Sequence, residues 1–278
     1  MSMQGKPLQG RTAWVTGSSR GIGRVIAEHL ASLGANVAVT GTTRFSTRAF
    51  QEAESIDAVA EQLANTYGVR TIALWGDLTQ EEVVRELVQE IHDKLGPIHI
   101  LVNCAGGDIG VAGVTGPMAG KPAGNNAIDI SLADIRAVLD RNLMTCILCC
   151  REVAPEMRDR REGWIVNIGS IAGLKGNETQ AIYSTAKAAV HEYTRCLAAL
   201  LRPYNVHVNA VAPGSTVTPR FVASRTVDED RMVQDGTLTR YGWPIEIARA
   251  VGFLVSEGAS YISGQVLRVD GGEQLWPS

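Results

Sequence analysis

Residues 16–23 of this chain, Thr16-Gly17-Ser18-Ser19-Arg20-Gly21-Ile22-Gly23, decide its fold. The segment follows a short apolar run, Thr12–Val15, and opens a longer amphipathic stretch, so it connects a strand to a helix. Glycines in such a turn let the backbone approach a pyrophosphate group, which then faces the positive end of the helix. The alternative is an ordinary strand-to-helix turn. A second strand that begins soon after Asn36 favours the dinucleotide-binding interpretation.

The rest of the chain repeats this alternation of strand and helix. Apolar runs on consecutive positions indicate strands that are buried on both faces, as in a parallel sheet. The predicted strands are Thr12–Val15, Val37–Thr40, Thr71–Leu74, Ile98–Val102, Trp164–Ile168, Val206–Val211 and Gln265–Val269. Repeated β-α units with right-handed crossovers produce a doubly wound sheet. The sequence therefore predicts an α/β fold, with a single Rossmann-type domain over residues 1–278 and a doubly wound parallel sheet of about seven strands flanked by helices.

Within this domain, we expect residues 10–150 to bind a cofactor and residues 160–278 to carry the catalytic and substrate-binding groups. Two long segments interrupt the alternation: residues 106–130, which are rich in Gly, Pro and Asn, and residues 215–235. Both follow strands at the carboxyl edge of the predicted sheet, where ligands bind in this architecture. We therefore expect two substrate loops here rather than idle insertions.

Composition limits the kind of protein that this chain can be. Its 278 residues are 45% hydrophobic and 20% charged, and 26 Lys and Arg against 29 Asp and Glu give a net charge of −3. A nucleic-acid-binding protein would need a concentrated basic face, and no apolar run approaches the ~20 residues that cross a bilayer. Residues 1–9 lack the apolar core of an export signal, and the five cysteines suit a reducing compartment. We expect a cytoplasmic protein that binds neither nucleic acid nor membrane.

A tyrosine and a lysine lie four positions apart in Tyr183-Ser184-Thr185-Ala186-Lys187, which places both on one face of a helix. A tyrosine hydroxyl titrates near pH ~10 and is a poor acid-base group at neutral pH, but a neighbouring cation stabilises the phenolate. Ser170 lies at the end of the fifth predicted strand and can donate a hydrogen bond to a substrate oxygen. The alternative for the tyrosine and lysine alone is a stripe on a helix surface. Together with Ser170 and the glycine-rich segment at residues 16–23, which we call the phosphate loop, they indicate acid-base catalysis.

These motifs resemble those of the classical short-chain dehydrogenase/reductase family, and the likeness extends over nearly the whole chain. The phosphate loop matches TGxxxGIG, Asn103-Cys104-Ala105-Gly106 matches NNAG with Cys at its second place, and residues 213–218 match PGxxxT. Within the family, the sequence most resembles the 3-oxoacyl-[acyl-carrier-protein] reductase-like members, although its segments after Arg44 and at residues 106–130 are longer than is usual in them. The resemblance implies that the cofactor is bound by Gly17, Ser19, Arg20, Gly21, Ile22, Gly23, Thr42, Arg44, Asp77, Leu78, Asn103, Ala105, Gly106, Tyr183, Lys187, Pro213, Gly214 and Thr218.

The resemblance also implies a reaction and a role for each of four catalytic residues. A hydride would pass between a nicotinamide and a secondary alcohol or ketone in a small-molecule substrate. Tyr183 would be the general acid in ketone reduction and the base in the reverse reaction, while Lys187 would hold the nicotinamide ribose and lower the tyrosine pKa. Ser170 would polarise the carbonyl, and Asn142 would anchor a water of the proton relay.

The choice between nicotinamide cofactors depends on the end of the second predicted strand, Thr40-Gly41-Thr42-Thr43-Arg44. NAD enzymes place an acidic residue there to bind both ribose hydroxyls, and Gly41 occupies that position in this chain. Arg20 and Arg44 provide guanidinium groups that suit the additional phosphate of NADP, although the alternative for Arg44 is that it simply points to solvent. We therefore expect NADP(H) rather than NAD(H).

Two patterns resemble metal or redox motifs without completing them. Cys146 and Cys149 form a CxxC inside an apolar helical run, where core packing is favoured over redox chemistry. The segment His191-Glu192-Tyr193-Thr194-Arg195 begins like the HExxH of zinc proteases but lacks the second histidine. We therefore expect no metal site.

Two alternatives to an NADP(H)-dependent reductase stay open. One is a regulatory protein that senses NADP(H) without catalysis, and the other is an NAD-dependent alcohol, polyol or sugar dehydrogenase of the same fold. A regulator would be expected to lack Tyr183 or Lys187, and both are present. The resemblance further implies a homotetramer, formed through the helices after the fourth and fifth strands and through the carboxyl terminus. Apolar candidates for the core or for this interface are Leu143, Ile147, Leu148, Leu197 and Leu200.

Overall fold

One parallel sheet organises the chain. The computed structural model describes residues 6–275, and its strands pair in the order β3-β2-β1-β4-β5-β6-β7. The strands are β1 Thr12–Val15, β2 Asn36–Gly41, β3 Thr71–Trp75, β4 Ile100–Asn103, β5 Gly163–Ile168, β6 Val206–Pro213 and β7 Val266–Val269. The predicted doubly wound parallel sheet is therefore confirmed. Residues 1–5, on which part of the expectation about export rests, and residues 276–278 lie outside the described range.

The strand order reverses beside β1, whose neighbours are β2 on one side and β4 on the other. Val15, the last residue of β1, pairs with Val39 of β2 and with Val102 of β4. At such a point the chain leaves neighbouring strands in opposite directions, and a crevice opens beyond their carboxyl ends. The loops that follow β1 and β4 therefore meet at the edge where a ligand is expected.

Helices connect the strands along both faces of the sheet. They are α1 Gly21–Ser32, α2 Ile56–Tyr67, α3 Glu81–Leu95, α4 Pro117–Gly120, α5 Leu132–Leu139, α6 Thr145–Arg160, α7 Ala181–Leu201, α8 Pro219–Ala223 and α9 Pro244–Leu254. The Asp134 backbone N–H donates to the Ser131 hydroxyl at 3.1 Å, so α5 begins where its capping pattern predicts. Tighter 3-10 turns at Ser46–Phe50 and Ile171–Leu174 and a wider π turn at Asp140–Met144 contribute to the crevice walls.

The sheet is buried on both faces, which is why its strands consist of consecutive apolar residues. Ala13 and Val15 of β1 lie in a cluster with side chains of α1, α2 and α9. Trp14 points to the other face, into a second cluster with side chains of α3, α6 and α7, and its Nε1 donates to the Thr40 hydroxyl at 2.7 Å. Close packing on both sides therefore fixes the strand ends from which the crevice loops emerge.

Cys146 and Cys149 belong to this second cluster, as expected from the apolar run around them. Burial raises the pKa of the Cys149 thiol, which keeps it protonated. All five cysteines are free thiols, and within residues 6–275 no cluster of side chains suited to a metal ion occurs. Over the same range, no helix combines the length and the apolar character that crossing a membrane requires.

Candidate active site

The phosphate loop between β1 and α1 is tied to the loop after β4. Thr16 accepts hydrogen bonds at its hydroxyl from the backbone N–H groups of Cys104 and Ala105, both at 3.0 Å. Gly17 has a positive φ of 64°, which favours glycine, and a Cβ on Gly23 would collide with the Gly17 carbonyl. The glycines therefore let the first turn of α1 lie directly against the loop, with its N–H groups close to the crevice.

The N-terminus of α1 holds an anion that belongs to the chain itself. This helix has no acidic residue in its first turn, and the Arg20 side chain does not cap it. Instead, the Gly21 backbone N–H donates to the Glu52 carboxylate at 2.8 Å. Glu52 lines the same cavity as Gly21. Sequence analysis missed this residue, and its one signal was the unusual length of the segment that follows Arg44.

The two arginines considered for a phosphate group lie in different environments. Arg20 lines the cavity, and its Nη1 donates to the Ser46 carbonyl at 3.0 Å. Burial lowers the pKa of Arg20, and the Glu52 carboxylate partly offsets that effect. Arg44 lies outside the cavity wall, where it donates to the Asp57 carboxylate at 2.8 Å with its side chain 54% exposed. Of the two alternatives for Arg44, the structure agrees better with a side chain that points to solvent than with one that joins Arg20 at a phosphate site.

The residues expected to catalyse proton transfer meet at the crevice from two elements. Ser170 follows β5, and Tyr183 and Lys187 lie one turn apart in α7, so all three side chains line one cavity of about 940 Å³. The Lys187 ammonium donates to the Ile168 carbonyl at 2.8 Å and lies 5.8 Å from the centroid of the Tyr183 ring. The backbone end of β5 therefore positions the lysine beside the tyrosine.

Burial sets the protonation of this group. It raises the pKa of Tyr183, while hydrogen bonding to Ser170 and the positive charges of Arg220 and Arg225 act in the opposite direction. Burial also lowers the pKa of Lys187. The sequence predicted a tyrosine pKa lowered by Lys187, whereas burial makes the net direction upward in this structure. Since an elevated pKa keeps the phenol protonated at neutral pH, Tyr183 can act as a proton donor in this structure.

His191 supports Ser170 from behind, a contact that sequence analysis missed. The Ser170 backbone N–H lies 3.4 Å from His191 Nε2, which accepts the hydrogen bond. The ring is 1% exposed, and burial lowers its pKa to about 4. A Cβ on Gly169 or Gly173 would collide with or crowd the same ring. The histidine is thus neutral and packs tightly against the segment that carries Ser170. Its sequence context, an incomplete HExxH motif, did not predict this role.

Asn142 fastens the loop after β4 rather than facing the cavity. Its Nδ2 donates to the carbonyls of Gly107 and Val138, both at 2.8 Å, and its Oδ1 accepts from the Gly107 N–H at 2.9 Å. Both side-chain donor hydrogens are therefore used by the backbone. The role expected for Asn142 in a proton relay stays a prediction.

Asn103 is also buried away from the cavity. Its Nδ2 donates to the Asn167 Oδ1 at 2.9 Å, which links the ends of β4 and β5. The next residue, Cys104, lies on the cavity wall, where burial raises the pKa of its thiol to about 11. This thiol therefore remains protonated and adds no negative charge beside Lys187.

Most of the predicted site residues come together along this single cavity. The predicted residues that lie on its wall are Gly17, Ser19, Arg20, Gly21, Ile22, Gly23, Thr42, Asp77, Leu78, Ala105, Gly106, Ser170, Tyr183, Lys187, Pro213, Gly214 and Thr218. Three predicted residues, Arg44, Asn103 and Asn142, lie outside it. One extended ligand in this cavity could therefore contact both the phosphate loop and Tyr183.

The two expected substrate loops contact each other at the cavity wall. Arg220 in α8 donates from Nη2 to the Asp108 carbonyl at 2.6 Å and from Nε to the Ala119 carbonyl at 3.2 Å. Arg220 and Arg225 both line the cavity, and neither was singled out from the sequence. Their positions could not be read from spacing, because the bonded partners of Arg220 lie about 100 residues earlier in the chain.

Comparisons with known proteins agree with this arrangement. A family model described as short chain dehydrogenase matches residues 11–229. The 3-oxoacyl-[acyl-carrier-protein] reductase FabG of Aquifex aeolicus (strain VF5) is 40% identical over 265 residues, which cover 95% of this chain and 98% of that protein. The cyclohexanol dehydrogenase of Rhodococcus sp. (strain TK6) is 37% identical over 272 residues, with 96% and 97% covered.

Among solved structures, a 7 alpha-hydroxysteroid dehydrogenase complexed with NADH and 7-oxo glycochenodeoxycholic acid superposes with a TM-score of 0.81. It is 33% identical, and the match covers 98% of this chain and 97% of that one. A putative gluconate dehydrogenase from Agrobacterium tumefaciens gives a TM-score of 0.80 at 32% identity, with 96% and 97% covered. The chain therefore belongs to the short-chain dehydrogenase family of oxidoreductases, which act on CH–OH and keto groups.

Proposed function

We propose that this protein is an NADP(H)-dependent ketoreductase of the 3-oxoacyl reductase-like type, with Tyr183 as its general acid and base. The observation that carries the proposal is the meeting of Ser170, Tyr183 and Lys187 with the phosphate loop in one cavity. A binding protein without activity has no need for a protonated phenol, a hydroxyl and a buried ammonium at the same place. Function is thus argued from the site and not from the fold alone.

The residues on the cavity wall fit a dinucleotide. The Gly21 N–H at the start of α1 already donates to the carboxylate of Glu52, so the N–H groups of this helix end suit an anion such as a phosphate. In the proposal, the glycines of residues 17–23 hold the pyrophosphate, Asp77 and Leu78 contact the adenine, and residues 213–218 hold the carboxamide. Ala105 and Gly106 form the wall between these positions.

The chain's own groups then carry the proton chemistry. The nicotinamide, when bound, supplies the hydride for the carbonyl carbon. Ser170 donates a hydrogen bond to the carbonyl oxygen, and Tyr183 transfers its proton to that oxygen as negative charge develops there. Lys187 holds the ribose, and its ammonium group stabilises the phenolate that Tyr183 becomes after it has given up its proton. In ketone reduction the phenol must start protonated, and its raised pKa keeps it so at neutral pH.

Two features favour NADP(H) over NAD(H). Position 41 carries no carboxylate, and a Cβ there would collide with the Ser46 hydroxyl. The Arg20 guanidinium lies on the cavity wall, where it can pair with an additional phosphate. Arg44 is engaged by Asp57, so the preference rests on Arg20.

The proposal is tested by following the loss of reduced-nicotinamide absorbance with NADPH and with NADH. The substrates are a panel of β-ketoesters, diketones, sugars and aromatic ketones. Tyr183→Phe is expected to lower turnover about 100- to 10,000-fold while the Kd for NADPH changes little. Tyr193→Phe is the matched control, because Tyr193 lies in the same helix and outside the cavity. Turnover by NADH alone would contradict the cofactor assignment, and tight NADPH binding that tolerates Tyr183→Phe without any turnover would indicate a sensor.

The proposal includes a homotetramer, for which the helices after β4 and β5 supply part of the surface. Leu200 in α7 is 63% exposed and is available to a partner subunit. Leu148 and Leu197 are buried in the core of the chain itself and therefore do not serve an interface. Light scattering coupled to size exclusion measures the assembly directly, and a monomeric mass would contradict it.

A further inference from the structure

Two arginines of the segment after β6 have no part in the reaction described so far. Arg220 lies in α8, and Arg225 follows the end of that helix. Both side chains line the cavity that contains Tyr183. Both guanidinium groups act electrostatically on the tyrosine hydroxyl, and Arg220 also interacts with Arg20 of the phosphate loop.

Arg220 is held in place by neutral groups. Its Nη2 and Nε donate to the backbone carbonyls of Asp108 and Ala119. The third nitrogen, Nη1, faces Gly107, where an added Cβ would lie 3.4 Å from it. Backbone carbonyls orient a guanidinium group without cancelling its charge. Arg220 therefore presents a fixed positive group at the cavity wall.

Arg225 is exposed, lies on the cavity wall and stacks on an aromatic ring. Its Cζ lies 4.1 Å from the centroid of the Phe221 ring, and that buried ring packs edge-on against Tyr241 at 5.1 Å. The Arg225 Nε donates to the Ser224 hydroxyl at 3.5 Å. Stacking covers one face of the guanidinium group and leaves the outer edge free to bind a planar anion.

Acidic groups do not neutralise the two arginines. In the described part of the chain, no ion pair within 4.0 Å includes Arg220 or Arg225. Asp108 acts on both at longer range, but its carboxylate is buried and accepts a hydrogen bond from Asn125 at 2.7 Å. Lys121 adds a third cation, which interacts repulsively with both arginines. Three positive groups therefore interact with one carboxylate.

One charged pair of the cavity wall outside the phosphate loop is balanced. Lys175 donates to the Glu273 carboxylate at 3.0 Å, and both residues lie on the wall. A cation and an anion in contact add little net field to the cavity. This pair therefore does not offset the positive charge of Arg220 and Arg225.

We propose that the substrate is a ketone that carries a carboxylate group, and that Arg220 and Arg225 bind this carboxylate while the keto group lies against Tyr183. The proposal rests on the proposed reductase function and names its substrate class. A neutral amide of the same shape cannot satisfy two guanidinium groups, so it binds less well than the acid. The competing anion is the cofactor, whose phosphates could contact the same arginines, and the experiment separates the two sources.

The experiment compares kcat/KM for the NADPH-dependent reduction of 4-oxopentanoic and 5-oxohexanoic acids with that of their primary amides. Wild-type protein is expected to prefer the acids at least about tenfold, and Arg225→Gln to reduce this acid-to-amide ratio about tenfold. Arg225→Lys keeps the charge and is expected to retain part of the preference. The matched control is Arg231→Gln, because Arg231 stacks on Tyr241 at 4.3 Å but lies outside the cavity; it should keep the wild-type ratio.

Several outcomes would overturn the proposal. Equal kcat/KM for acid and amide in the wild type would do so while leaving the reductase assignment intact. Equal losses for both compounds in Arg225→Gln would mean that the arginine acts on Tyr183 and not on the substrate. An unchanged ratio together with a higher Kd for NADPH would assign the arginines to the cofactor.

Binding decides the question if the reductase function itself fails, that is, if neither these compounds nor neutral ketones are reduced. The acids should then raise the melting temperature of the NADPH-bound wild type more than the amides do, and this difference should shrink in Arg225→Gln. Equal shifts for acid and amide would overturn the proposal independently of turnover.

Discussion

Glu52 offers the sharpest test of how the phosphate loop works. Its carboxylate accepts the Gly21 N–H at 2.8 Å, at a helix end where an incoming phosphate would need the same donor. If the carboxylate must leave before a cofactor binds, Glu52→Gln should have opposite effects on the free protein and on the cofactor complex. The free protein should lose stability, whereas the affinity for NADPH should rise.

The size of both effects follows from the bond at the start of α1. A carboxylate at a helix N-terminus contributes ~0.3–1 kcal/mol, and its hydrogen bond to an N–H group adds to this, although glutamine keeps an acceptor. Since Glu52 is partly exposed, we take about 1 kcal/mol for the difference between Glu and Gln. That value corresponds to about fivefold in Kd and to about 2 °C in the melting temperature of a chain of this length.

The assay combines a fluorescence titration with NADPH and thermal unfolding with and without the cofactor. Glu52→Gln should lower the Kd about fivefold and melt about 2 °C below wild type when free, but should match wild type when saturated with NADPH. Glu54→Gln is the control, because Glu54 pairs with Arg48 in the same segment with its side chain 90% exposed. A higher Kd in Glu52→Gln would refute the reasoning and would show that Glu52 contacts the cofactor itself.

Two further predictions concern charge at the site. Arg20→Ala should weaken NADPH binding about tenfold more than NADH binding, because a charge-assisted pair with the extra phosphate is lost; equal weakening in the two titrations would remove Arg20 from that role. His191 takes up a proton at about pH 4 in the folded chain against 6.5 when unfolded, so its contribution to stability falls as the pH drops through that window. His191→Gln should therefore show a shallower decline of melting temperature from pH 6.5 to 4, and an equal or steeper decline would contradict the assignment.

The strands were predictable because burial on two faces leaves a direct trace in the sequence. Trp14 and Val15 face opposite sides of the sheet and both are excluded from solvent, so no polar residue interrupts the run. The motifs at residues 16–23 and 183–187 were also local, since each spans a single turn or a single helix turn. Their meeting at one cavity followed from the parallel order of the strands.

The remaining site residues could not be predicted, because their roles depend on contacts between distant segments. Arg220 reaches carbonyls 112 and 101 positions earlier in the chain, and these bonds depend on how two irregular loops fold over the cavity. The Asn142 side chain forms hydrogen bonds with the backbone of Gly107 in the loop after β4. A motif match does not reveal these contacts. Periodicity carries no information about such contacts, since it reports only which face of an element is buried.

The glycine at the end of β2 and the carboxylate at the start of α1 are two consequences of one local arrangement. A Cβ at position 41 would collide with the Ser46 hydroxyl, so glycine at this position lets the turn Ser46–Phe50 pack closely against the end of β2. The same segment places the Ser46 carbonyl on Arg20 and the Glu52 carboxylate on Gly21. The segment that packs against Gly41 thus also places an acidic residue at the phosphate loop. A carboxylate therefore lies beside the phosphate loop in this chain although residue 41 carries none.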